Sequence, residues 1–427
     1  MNRSTHAVRA AALAGAVALV LTACGGSSDD DTAGDGGSTE SAAAPAAGPL
    51  ILGTLLPQTG SLAYLGPPEV AGVDLAVKEI NEAGGVLGAD VEVNHADSSD
   101  ADHAEVATQS VTDLLSQDVQ VIIGAASSSV TLNVIDDITG AEVVQISPAN
   151  TATSLSGYSP YYFRTAPPDT VQGAALGNLI TGDGHANVGI LVFNDDYGTS
   201  LRDVVKATVE GAGGTITYGN PGQEFDPAAS SFATDVTALM ATSPDAVVVL
   251  AFEQTKQIIP ELVAAGVDPS TIYLVDGNTA DYSADFEPGT LEGAQGTIPG
   301  AFPSDDFKAR LLEVDSALTD YAYAPESYDA TLLAALAAVR GKGTDGPTIQ
   351  ANLAAVSGAS GGTECSTFAD CVKLLDTGEE IQYVGQAGTG PFNENNDPSS
   401  AFIGVYKFGA DNKNVWVKAV EGEVPAS

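Results

Sequence analysis

The chain has 427 residues, 44% of them hydrophobic and 6% aromatic, which is enough for two domains of ordinary size. Its formal charge is -41, from 56 acidic against 15 basic residues. A phosphate backbone needs clustered Lys and Arg, so nucleic acid is excluded as a partner, as is a polybasic contact with a membrane surface.

In chain order, MNRSTHAVRAAALAGAVALVLTAC comes first. Arg3 and Arg9 precede an apolar run from Ala10 to Leu21 that is too short to span a bilayer. Residues 1–23 are therefore expected to be an export signal. Leu21-Thr22-Ala23-Cys24 resembles the lipobox of bacterial lipoproteins. The resemblance implies that Cys24 carries a diacylglyceryl group and becomes the first residue of the mature chain, anchored at the outer face of the cytoplasmic membrane. Two acyl chains suffice for stable anchoring at roughly 0.8 kcal/mol per buried methylene. Residues 24–48 are mostly Gly, Ser, Ala and Asp with no large apolar side chain, and are expected to be a disordered tether.

From Pro49 onward strands and helices alternate. Leu50–Leu56 is a short apolar run. Pro67–Ala83 sets Val70, Val73, Val77 and Ile80 at helical spacing and stops at Gly84-Gly85. Val91 and Val93 alternate with polar neighbours as a strand, and Ala101–Ser116 reads as a helix. Val119–Gly124 is the continuous apolar run of a strand covered on both faces. Further strands are expected at Val143–Ile146, Val188–Phe193, Thr215–Tyr218, Ala246–Phe252 and Thr271–Val275. Helices are expected at Thr199–Gly211, Ser230–Met240, Thr255–Ala265, Phe307–Leu318, Pro325–Val339 and Pro347–Val356. Ala401–Phe408 and Val415–Val420, around Asp411-Asn412-Lys413-Asn414, read as a hairpin.

This alternation predicts an α/β protein with largely parallel sheets. Arg164–Asp169 (RTAPPD), Thr297–Ser304 (TIPGAFPS) and Asp397–Ser400 (DPSS) read as crossings between two lobes. The expected first lobe joins residues 49–166 to 300–398, and the second joins 167–299 to 399–427. Cys365 and Cys371, with five residues between them in an exported chain, are expected to form a disulfide.

In such a fold ligands bind beyond the carboxyl ends of strands. Val121–Gly124 runs into Ala125-Ala126-Ser127-Ser128-Ser129, where a helix N-terminus favours an anion such as a carboxylate or is simply capped by serine. Ile146 runs into Ser147-Pro148-Ala149-Asn150-Thr151 on the same predicted rim. In the other lobe Tyr197, Phe252-Glu253 and Asp276 follow strands, and an aspartate there suits an ammonium. His95 and His103 lie beside Asp97, Asp100 and Asp102 with no recognised ligand spacing, so no metal or cofactor is expected. No nucleophile elbow, Walker loop or dinucleotide glycine pattern is present, and the chain is not expected to be an enzyme.

Gly53–Gly66, Ala71–Ala76, Ile80–Gly88, Gly124–Ser129, Ser147–Thr151, Tyr197-Gly198 and Tyr328-Asp329-Ala330 together resemble the type I substrate-binding proteins of ABC transporters, in the leucine/branched-chain amino acid branch. The resemblance implies two doubly wound parallel-sheet lobes joined by a three-segment hinge. It implies a monomer that closes on a branched-chain or other apolar amino acid and delivers it to an ABC permease. Ser128, the Ala149 amide and Thr151 would hold the carboxylate, with Ser129 and Asn150 in the same turns. Tyr197 would lie over the ligand, and Asp276 would face the ammonium, with Glu253 as its alternate. Three departures stand out. The family's acid position falls on Gly277, Phe252 replaces an aromatic hydroxyl, and Leu65 occupies an aromatic position with Tyr64 adjacent. Urea, short amides and other small carboxylates are alternative ligands, and a ligand-sensing receptor subunit is the alternative role.

Overall fold

The computed structural model of the protein describes residues 48–300 and 302–424; the expected signal, Cys24 and the tether up to residue 47 lie outside them. The first segment runs β1 (Ile51–Leu56), α1 (Gly66–Glu82), β2 (Glu92–Asp97), α2 (Ala104–Leu115), β3 (Val121–Gly124), α3 (Ser128–Gly140), β4 (Val144–Ser147) and β5 (Tyr162–Arg164). Its five strands form one parallel sheet in the order β2-β1-β3-β4-β5. The second segment runs α4 (Asp169–Gly182), β6 (Asn187–Val192), α5 (Asp196–Gly211), β7 (Thr215–Tyr218), α6 (Ala233–Met240), β8 (Ala246–Leu250), α7 (Thr255–Ala264), β9 (Ile272–Leu274) and β10 (Gln295–Pro299).

The chain then returns with α8 (Asp305–Val314), α9 (Ala324–Gly341), α10 (Gly346–Val356), β11 (Thr363–Cys365), α11 (Phe368–Thr377) and β12 (Ile381–Tyr383). These helices cover the first sheet: one core joins Leu52, Val121, Ile123 and Ile146 to Phe307, Leu332, Leu336 and Leu353. Finally β13 (Ser400–Phe408) and β14 (Asn414–Glu423) add an antiparallel hairpin to the second sheet, whose order is β14-β13-β10-β9-β8-β6-β7. A separate core, including Val188, Ile190, Leu201, Val248 and Ile258, fills that lobe. The backbone thus passes between the two sheets after β5, after β10 and before β13. Thr297–Pro299, read from sequence as part of a crossing, is the end of β10.

Six elements were not expected: β5, α4, β10, β11, α11 and β12. The helix α4 (DTVQGAALGNLITG) has no clean apolar stripe because close approach, rather than large side chains, packs it. A Cβ on Gly173 or Gly177 would stand 2.7 Å from Val204 or Thr208 of α5. Cys365 and Cys371 are joined, with Cα atoms 5.3 Å apart, tying β11 to α11. Cys371→Ser should cost roughly 2 kcal/mol by loop-closure entropy. An unchanged thermal midpoint for this variant would show that the bridge is dispensable.

Candidate functional site

The expected rim of the first lobe forms where β3 and β4 end. Ser127 caps α3, its side chain accepting from the Val130 amide at 3.4 Å. Ser128 Oγ accepts from the backbone N–H groups of Thr151 and Ala152 at 3.3 and 3.2 Å. Those two bonds occupy its lone pairs and leave its O–H as a free donor, the form a carboxylate needs. Asn150 is a buttress: its amide donates to Thr131 Oγ1 at 2.7 Å, and its oxygen accepts from the Tyr162 hydroxyl.

On the second lobe Asp276 opens a short 3-10 turn after β9 and is 7% exposed. Its Oδ1 accepts from Gln172 at 2.8 Å and from the Tyr197 hydroxyl at 2.5 Å. Its Oδ2 accepts from the Tyr323 hydroxyl at 2.6 Å. Tyr64 reaches across the cleft to donate to the Asp276 carbonyl oxygen at 3.2 Å. Phe252 stacks on Tyr197, with centroids 5.6 Å apart and planes 10° from parallel. The same ring packs on the turn after β9, where a Cβ on Gly277 would meet Phe252 at 2.8 Å.

Ser128, Ala149, Asn150 and Thr151 from one lobe and Tyr197, Phe252 and Asp276 from the other line one cavity of about 20 Å³. That is room for about one water, so an amino acid enters only if side chains or lobes move. Two expected residues stand elsewhere. Ser129 points away from the cavity and bonds Asp195 Oδ2 at 2.7 Å and Asp196 Oδ2 at 2.9 Å, joining the N-terminal ends of α3 and α5 across the lobes. Glu253 is exposed and pairs with Lys256 at 3.2 Å. Gln172 and Tyr323 were not anticipated. Tyr323 precedes α9 with φ +59° and ψ 4°, a left-handed conformation uncommon for a bulky residue and a clue visible only in three dimensions.

Burial raises the Asp276 carboxyl above its ordinary range, against the hydrogen bonds from Tyr197, Tyr323 and Gln172. Asp169, fully buried nearby, is pushed up to about 7 by burial, with the Thr151 and Ser200 hydroxyls opposing the rise and Asp276 adding to it. Neither Asp169 oxygen has a hydrogen bond of full geometry. Burial and the Asp276 charge hold Tyr197 and Tyr323 well above the usual phenol value, so both remain protonated donors. Among the described residues no histidine lines this cavity: His95 pairs with Asp74 at 3.1 Å and His103 with Asp100 at 2.8 Å. Among the described residues no group of three His, Cys, Asp or Glu side chains is placed to hold a metal ion.

Two α/β lobes with hydroxyls and amides facing a buried carboxylate across a cleft have the form of a solute-binding protein. Residues 49–370 match the periplasmic binding protein family, and the chain belongs to it. The chemotactic signal transduction system substrate-binding protein BasB of Halobacterium salinarum is 26% identical over 381 residues, covering 84% of this chain and 87% of that protein. The leucine-, isoleucine-, valine-, threonine- and alanine-binding protein of Pseudomonas aeruginosa is 34% identical over 162 residues, or 37% of this chain and 42% of that protein. Among solved structures, the leucine-binding protein LivK of Thermotoga maritima superposes with a TM-score of 0.72 at 19% identity, covering 87% of this chain and 98% of that one. The fold is thus that of the type I leucine-binding members.

Proposed function

We propose that the protein is a lipid-anchored extracytoplasmic receptor. It captures a small α-amino acid with a branched or other apolar side chain by lobe closure, and delivers it to an ABC permease. The observation that carries this reading is Asp276: a buried carboxylate with neutral hydrogen-bond donors and, among the described residues, no ion-pair partner, facing the Ser128 and Thr151 hydroxyls across the cleft. An α-amino acid carries both complements, an ammonium for Asp276 and a carboxylate for the opposite rim. Phe252 and Leu62 offer its side chain apolar wall.

Calorimetric titration with amino acids, urea, acetamide and small carboxylates tests this. An apolar amino acid should bind tightest. Tighter binding of urea or acetamide would overturn the amino-acid reading. Ser128→Ala removes one charged hydrogen bond and should cost about 1.5 to 3 kcal/mol, or roughly ten- to a hundredfold in affinity. Wild-type affinity in this variant would move the carboxylate elsewhere.

Anchoring rests on Cys24 and the residues before it. Cys24→Ala should release the protein from membranes or leave its precursor uncleaved. A processed variant that stays membrane-bound would refute the anchor. Among the described residues no helix is long and apolar enough to cross a membrane.

A second role, as a ligand-sensing subunit, is favoured by the similarity to BasB, whose name places that protein in chemotactic signal transduction. Uptake of labelled ligand by cells lacking the gene separates the two: lost uptake supports delivery, whereas normal uptake with lost attraction supports sensing.

A further inference from the structure

The cleft at Asp276 already has an occupant from the protein itself. Gln172 and Tyr197 both donate to Oδ1 of this carboxylate, and Oδ2 takes the Tyr323 hydroxyl at 2.6 Å. Tyr323 directly precedes α9 of the first lobe, whereas Asp276 follows β9 of the second, so this bond crosses the cleft and holds the lobes together. A ligand ammonium reaching Asp276 from the opposite rim needs the place that the hydroxyl holds.

Two features mark Tyr323 as a part that can leave. Its backbone sits at φ +59° and ψ 4°, a conformation that a bulky residue keeps only while its contacts enforce it. Its ring also has somewhere to go. Among the described residues Tyr323 alone lines both the cavity of about 20 Å³ at Asp276 and a second one of about 230 Å³. Pro299, Phe302, Tyr321 and Tyr406 help to wall the second. A swing of the ring toward it frees Oδ2 and joins the two spaces, of which the smaller has room for about one water.

We propose that Tyr323 stands in for the ligand's ammonium: its hydroxyl plugs the empty site, and binding proceeds by displacing it from Asp276. The inference rests on the amino-acid reading of the cleft and adds how that cleft is regulated. The exchange favours an ammonium, because its charge-assisted hydrogen bond to a carboxylate is about twice as strong as one from a neutral donor. Urea and simple amides offer only neutral N–H groups and gain little by displacing a phenol. The apparent affinity is scaled by the fraction of molecules in which Tyr323 has left Asp276, so the plug sets a threshold for binding.

Calorimetry of the full chain with L-leucine and, for the ammonium seat alone, with methylammonium chloride tests the proposal. Tyr323→Phe keeps the ring and removes the hydroxyl. It should bind both probes about tenfold more tightly than the wild type, because no hydrogen bond to a charged group has to be broken first. The gain should vanish when Asp276→Asn is added. Tyr323→Gly suits the positive φ and should show a gain of the same sign, which keeps the test decisive if Tyr323→Phe does not fold. A tyrosine that merely steadied Asp276 for the ligand would give the opposite sign. Methylammonium binding no tighter than wild type in both variants, or a gain that survives Asp276→Asn, would overturn the plug. A gain for methylammonium with no binding of L-leucine to any form would support the plug and overturn the amino-acid reading instead.

Discussion

Asp276→Asn should lower affinity for an amino-acid ligand by about a hundredfold or more. Removing one partner of a buried, hydrogen-bonded ion pair costs about 3 to 5 kcal/mol, because the other charge is left uncompensated. The shape of the site should survive, since an asparagine oxygen still accepts from Tyr197 or Tyr323. Calorimetry separates the loss of affinity from loss of fold. Wild-type affinity in this variant would mean that the ligand has no ammonium, and would move the assignment to urea, an amide or a simple carboxylate.

The same carboxylates give binding a pH dependence with a definite sign. Burial raises Asp276 and Asp169 in the folded protein, so ionising them costs the folded state. For Asp169 this contribution to stability is fully present below its unfolded value near ~4, and is lost as pH rises through about 7. An ammonium ligand acts in the opposite sense, because it binds the ionised form of Asp276. Its affinity should therefore fall as the solution is acidified through the raised range of the carboxyl. A flat affinity profile between neutrality and the ordinary carboxylate range would contradict an ammonium at Asp276.

The second large effect concerns Arg164, which is buried completely at the end of β5. Its guanidinium donates to Asp397 at 2.6 Å, to the Ala152 carbonyl at 2.9 Å and to Ser156 Oγ at 2.6 Å. Arg164 begins the first crossing and Asp397 the last, so one ion pair ties two of the three connections between the lobes. Arg164→Met leaves the Asp397 carboxylate buried without its cation and should destabilise the fold by about 3 to 5 kcal/mol. Pairing it with Asp397→Leu should recover most of the loss, because an apolar pair of similar size removes the unpaired charge. Urea unfolding of the single and double variants checks both. A double variant no better than the single one would show that the remaining hydrogen bonds, rather than the charge, are what Arg164 supplies.

Much of the architecture was legible in the residues themselves. Val121–Gly124 is apolar throughout because β3 lies inside the sheet with helices over both faces, and all four residues are buried. The proline-rich RTAPPD and DPSS stretches fall where the chain changes sheets. Ser128 and Thr151 stood out because small polar residues directly follow buried strands, and such turns lie on one rim of a parallel sheet. These signals are local: they depend on side-chain period, strand length and the residue types at turns.

What tertiary structure alone decided is which distant groups meet. The donors on Asp276 come from 79, 104 and 47 residues away, and no local pattern marks Tyr197, Gln172 and Tyr323 as partners of one carboxylate. Ser129 has the same chemistry as Ser128 and directly follows it in the motif. Yet consecutive residues at a helix start point in different directions, so one lines the cleft and the other bridges to Asp195 and Asp196. The helix α4 was hidden for a related reason: Gly173 and Gly177 are informative only beside Val204 and Thr208. Sequence periodicity records which face of an element is buried; it does not record what lies against that face, and in this protein the site is made of such contacts between lobes.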